Sequence, residues 1–157
     1  MKKLLFLLGV LLLGSGAFAS DIDDVKHFFN SYTDTANSYK PNYFDYYAPN
    51  AVIKRVVVKK DGTTETVVVP LTEYKKNTKL SLRLAKLKHY KNEYTNIEIK
   101  PEGDDYRVIT MRKPSTSSYS LPASFLIGKD ASGKLKIKEE SMHTKVQTFL
   151  RKHNKSN

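Results

Sequence analysis

Side chains alternate across a β-strand, so along residues 134–142 Leu135, Ile137, Glu139 and Ser141 share one face, and the two aliphatic members mark it as the face that meets the core. Glu139 is therefore expected to point inward. Along residues 105–113 Tyr106, Val108, Thr110 and Arg112 share a face in the same way. Where that face is also inward, Arg112 is the counter-charge for Glu139. A buried carboxylate needs such a partner or a raised pKa, and either state serves binding or catalysis; at the rim of a sheet the same carboxylate is merely solvated. A second concentration of charge lies along residues 72–91, where Lys75, Lys76, Lys79, Arg83, Lys86, Lys88 and Lys91 face a single acid, Glu73. It reads as an ordinary solvated helix face or as a surface for an anionic partner, with Lys75, Lys76, Lys79, Arg83 and Lys86 as its candidate contacts.

Several chemistries are excluded. His27, His89, His143 and His153 are far apart, none is paired with another ligand at helical spacing, and there is no cysteine, so no metal site is expected. The chain has no Gly-x-Ser-x-Gly nucleophile motif, phosphate-cradling glycine loop or dinucleotide fingerprint, so no cofactor is expected either.

The elements that must position these residues can be read from periodicity. Val25, Phe28, Phe29, Tyr32, Ala36 and Tyr39 recur at three- and four-residue steps, which predicts a helix ending near Tyr39, before Pro41. Ser20 with Asp23 predicts its capping box, and Asp21, Asp23 and Asp24 its acidic first turn. Pro41 opens a short helical turn reaching Tyr47 and rich in aromatic rings. Residues 51–58 and 65–69 are β-branched strands joined through Lys60-Asp61-Gly62, a hairpin turn. Thr72 is the expected N-cap of a further helix whose apolar face carries Leu80, Leu84 and Leu87. Four strands follow at 92–100, 105–113, 118–127 and 134–142, with hairpin turns at 101–104 and 130–133. The fold class is α+β, and the residues from 145 onward form a basic, helix-prone tail.

The compartment is legible at the other end. Lys2 and Lys3, the apolar run 4–13 and Ala17-Phe18-Ala19 have the pattern of a cleaved signal peptide over residues 1–19, leaving a domain over 20–144 and the tail over 145–157. The apolar run is too short to span a bilayer, for which roughly 20 residues are needed. Its loss removes two of the 27 basic residues, lowering the formal net charge from +11 to about +9 against 16 acids. A periplasmic or secreted basic protein meets anionic envelope components before nucleic acid, which is not an expected partner. Without cysteine, stability must come from packing alone.

Tyr46-Tyr47-Ala48-Pro49-Asn50-Ala51-Val52-Ile53 resembles the helix-to-strand junction of the nuclear transport factor 2-like superfamily, and Gly133-Lys134-Leu135-Lys136-Ile137 is similar to its final-strand entry, with Leu135 where many members carry Trp. The resemblance implies a curved antiparallel sheet wrapped around the N-terminal helices as a cone, in the order ααββαββββ, with a pocket at the open end and dimerisation through the outer sheet face. It also implies a test for catalysis. The isomerase-like enzymes of that group place a carboxylate base in the first strand shortly after the junction, where this chain has Lys54-Arg55. A fixed cation cannot be that base. Arg55 is instead the expected counter-charge of an anionic ligand, and Tyr32 stands about where those enzymes place an oxyanion donor, although an aromatic ring on an apolar stripe also packs without further role.

Fold membership does not decide function. The leading expectation is an exported, non-enzymatic binding module, a homodimer whose cone pocket takes a small anionic ligand through Tyr32, Arg55, Arg112 and Glu139. The alternatives are a small-molecule lyase or isomerase using that polar set, and a cell-envelope assembly component that meets an anionic surface or partner through the lysine-rich helix. A cavity on the order of 300 Å³ or more is required by the first two.

Overall fold

The computed structural model describes residues 15–153. Helix α1 (Ser15–Asn37) is followed by a 3-10 turn (Pro41–Tyr46), strands β1 (Tyr47–Val58) and β2 (Thr64–Val69), helix α2 (Leu71–Leu87), strands β3 (Asn92–Glu102), β4 (Asp105–Pro114), β5 (Leu121–Lys129) and β6 (Leu135–Thr144), and a short helix α3 (Thr148–His153). Up to residue 14 the expected leader lies outside the described residues. The capping box expected at Ser20 is not formed, because the chain upstream of Ser20 continues the helix and carries Asp21, Asp23 and Asp24 into its interior. Asp21 turns to the sheet instead, accepting a hydrogen bond from Tyr106 Oη at 3.3 Å. The helix stops where Tyr39 takes a left-handed backbone, φ 59°, just before Pro41.

The strands form one open, six-stranded sheet in the order β2-β1-β6-β5-β4-β3. Hairpins account for β1–β2 and for the run β3 to β6, while β1 lies parallel to β6, so the sheet is mixed rather than wholly antiparallel. Helix α2 carries the chain from the β1–β2 hairpin to the far edge, β3, and β4 to β6 then walk back to β1. The concave face packs on α1: Val25, Phe29 and Tyr32 from the helix meet Ile53, Val108, Phe125, Ile127 and Ile137 from the strands, all of them buried. This is the expected α+β cone. The β1–β2 turn is closed by Gly62 N–H to Lys59 O, with Gly62 at φ 84°, a conformation in which a Cβ is strained.

One element, α2, departs from expectation in two ways. Helix α2 starts from Pro70 without a side-chain cap, so Thr72 is inside its first turn. More consequentially, Leu80, Leu84 and Leu87 face solvent, at 74%, 52% and 76% exposure. The inward side is Leu71, Tyr74, Thr78, Leu82 and Ala85, a stripe of equal helical spacing but mixed polarity, and no residue of the helix is fully buried.

Candidate functional site

In β6 the pairing with β5 shifts by one residue, Leu126 opposing Glu139 and Ile127 opposing Ile137, so that Lys138 is an extra, bulged residue. A one-residue slip moves every later side chain to the other face. Ile137 is inward, and beyond the bulge Glu140, Met142 and Thr144 are inward in turn. Glu139 therefore points outward, contrary to the alternation expectation. It pairs with Lys54 at 2.6 Å and Arg107 at 2.8 Å on the convex face, and Arg107 is also held by Glu102 at 2.7 Å. Partial burial works to raise the Glu139 carboxyl, but the two cations more than offset it and hold it below the usual carboxylate value. Arg112 does face inward as expected, yet its expected pairing with Glu139 is not made.

The carboxylate of the interior is Glu140, with no solvent exposure. Arg55, also inward, brings Nη2 to 2.7 Å of Glu140 Oε1, and Tyr47 donates to Oε2. Tyr32 Oη lies 2.8 Å from Tyr47 Oη and 3.4 Å from Oε2. The Arg55 contact is an ion pair by distance, but it leaves Oε1 without an aligned hydrogen bond. Arg55 lines the cavity, as expected of a counter-charge for a ligand, but its charge is already matched by Glu140. Its guanidinium also stands 5.2 Å from the centre of the Tyr74 ring. Burial opposes the charge on Arg55, and Glu140 outweighs burial, holding the guanidinium firmly protonated. Burial first, and the Glu140 charge second, push the Tyr32 and Tyr47 phenols well above their ordinary value and Tyr74 up to about 12.

Above this layer is a cavity of about 460 Å³. Tyr32, Arg55 and Met142 form its floor, the α2 residues Tyr74, Thr78 and Leu82 cover it, and Val146 and Phe149 of the C-terminal segment close one edge. Gln147 secures that segment by donating to Val58 O at 2.8 Å. Tyr43 is part of the wall, but the aromatic cluster of the 3-10 turn does not fill the space. Arg112 reaches the cavity from β4. It donates to Asn92 Oδ1 at 2.9 Å and His143 O at 3.2 Å, while its Nε has no partner. Tyr39 Oη, also in the lining, is buried and unpartnered. No carboxylate pairs with Arg112 among the described residues, and none lines the cavity.

Glu140 was missed by strict alternation, although a signal was present: the apolar register itself changes parity, odd at Leu135 and Ile137 and even at Met142, which requires a bulge between them. The candidate cations of α2, Lys75, Lys76, Lys79, Arg83 and Lys86, are remote from Glu140 in role and lie outside the cavity lining. Lys79 packs its ammonium 5.9 Å from the Phe44 ring centre.

No protein-family model matches the chain, and no curated protein matches it in sequence. Solved structures do share its architecture. A nuclear transport factor 2-like protein of unknown function from Pseudomonas putida superposes with a TM-score of 0.58 at 8% identity, over 80% of this chain and 87% of that one. A putative dehydratase of the same structural group from Streptomyces avermitilis gives 0.58 at 11% identity, over 80% and 96%. A putative ketosteroid isomerase from Shewanella frigidimarina gives 0.53 at 17%, over 74% and 91%. The chain therefore has the nuclear transport factor 2-like fold, as the junction and final-strand motifs implied. Identities this low carry the fold and not an activity.

Proposed function

We propose that the protein is an exported, non-catalytic binding module whose cone cavity takes a small, largely apolar ligand bearing one anionic group, with Arg112 rather than Arg55 as the counter-charge. The observation that carries this reading is the guanidinium of Arg112, a residue 8% exposed, which lines a cavity of about 460 Å³ and has no carboxylate partner among the described residues. An uncompensated buried cation is costly, and a carboxylate or phosphate that offers two acceptors to the planar guanidinium removes that cost. Against catalysis stands the composition of the lining, which has no carboxylate, imidazole or thiol to move a proton near neutral pH, Glu140 being sealed beneath the floor.

Calorimetric titration with a series of aromatic and aliphatic carboxylates, each beside its neutral primary amide, tests this reading. The acids are expected to bind at least tenfold more tightly than the amides, and Arg112→Gln to erase the difference. Equal binding of acid and amide overturns the proposal. Export rests on residues 1–19, and the intact mass of protein recovered from its native host should correspond to a chain beginning at Ser20.

A further inference from the structure

The outward face of α2 is the least expected surface of the molecule. Leu80, Leu84 and Leu87 are spaced at four and three residues, so they form a single stripe about 10 Å long at 1.5 Å per residue. Leu80 and Leu87 are exposed on the side of the helix opposite Tyr74, Thr78, Leu82 and Ala85, while Leu84, 52% exposed, reaches round to the rim of the cavity, as does Lys88. At 100° per residue Lys76 and Arg83 flank this stripe on one side, Lys79 and Lys86 lie beyond them, and Lys88 flanks it on the other. Among the described residues none of these cations forms an ion pair.

From this arrangement we infer that α2 is a membrane-surface helix that docks the protein on an anionic lipid bilayer, with the three leucines entering the headgroup boundary and the lysines at the phosphate level. A helix with a narrow apolar stripe set between basic residues lies in such an interface, because lysine stems extend along the apolar surface while their ammonium groups remain with the headgroups. Charge decides the occupant. A second copy of this chain, with a formal net charge of +11, would bring two lysine rows against each other, whereas a bilayer containing acidic lipid matches the stripe and both flanks at once. The inference does not depend on what the cavity binds.

The test is flotation of the purified protein with vesicles of phosphatidylcholine alone and of phosphatidylcholine mixed with phosphatidylglycerol. Binding to the mixed vesicles and not to the neutral ones is expected. The double variant Leu80→Ser, Leu87→Ser should lose at least tenfold in partitioning while keeping its thermal unfolding midpoint, since neither side chain packs on the core or lines the cavity. The variant Lys76→Glu, Lys79→Glu, Lys86→Glu should lose as much. Failure to float with acidic vesicles overturns the inference, as does a leucine variant that floats like the parent, which would leave only unspecific charge attraction. A lipid-free dimer that the leucine substitutions dissociate, or a fall in the unfolding midpoint of that variant, also overturns it, because each means that protein already covers the stripe.

Discussion

Replacing Arg55 by alanine takes away the counter-charge of a carboxylate with no solvent exposure, and this makes Arg55 a residue of the fold before it is one of any ligand site. Breaking a buried pair from one side costs about 3–5 kcal/mol, most of it the stranded charge. Arg55→Ala should lower the urea midpoint accordingly, and Arg55→Met combined with Glu140→Leu should recover much of the loss; a single variant as stable as the parent refutes the pairing. Arg112→Gln, by contrast, strands no carboxylate and is expected to leave stability within about 1 kcal/mol, near the usual range for such changes. The phenols set a limit at high pH. Tyr32, Tyr43, Tyr47, Tyr74 and Tyr94 all have folded pKa values raised, first by burial, above the unfolded value near 10. A raised folded value means that the native state holds protons which the unfolded state releases, so their contribution is complete below pH about 10 and is lost as pH climbs beyond it. In an alkaline titration followed by tyrosinate absorbance, these five of the ten tyrosines should ionise only with unfolding. Ionisation of all ten at the ordinary value with the fold intact would contradict that.

Periodicity located nearly every element, because strands 92–100, 105–113 and 134–142 are bounded by Gly, Pro and Asp turns that local chemistry dictates. It failed where the answer depends on a neighbour. The leucines at 80, 84 and 87 have the spacing of a core stripe, and nothing local distinguishes them from Leu71, Tyr74, Thr78, Leu82 and Ala85, which have it too; of the second set Leu71 packs on the core and the others roof the cavity, a role that need not be uniformly apolar and that Leu84 shares from its rim. Alternation failed at Glu139 for a related reason, since one bulged lysine reverses parity for the rest of β6. Arg112, on a strand without a bulge against β5, was placed inward correctly. Because α2 has no fully buried residue, it is anchored by far less apolar contact than α1. Amide hydrogen exchange should find α2 the less protected of the two long helices, with a carboxylate ligand in the cavity raising its protection; equal protection in the free protein would argue against a loosely held roof.

At the scale of the whole molecule the open sheet leaves one broad surface to account for, its convex face. There the residues of β1, β6, β5 and β4 fall into rows across the strands: Val52, Glu139, Leu126 and Arg107 in one, Lys54, Ser141, Ser124 and Ile109 in the next. Glu139 stands between Lys54 and Arg107, and these three side chains are 21%, 34% and 18% exposed, so the polar network is half-buried on the protein's own surface. Val52 and Ile109 beside it are each 39% exposed, and the opposed Ser124 and Ser141 leave the centre low enough for a second sheet to approach closely. A two-fold axis through this face would bury aliphatic groups around a charge network that is already satisfied within each copy, which avoids the main cost of burying ions. Sedimentation at micromolar concentration should therefore find a homodimer that is insensitive to the leucine substitutions on α2. Glu139→Lys, which places three cations together at the centre of the face, should dissociate it by at least tenfold while leaving Glu140 and the cavity untouched. A strictly monomeric parent protein, or a dimer indifferent to Glu139→Lys, would remove the convex face as the site of association.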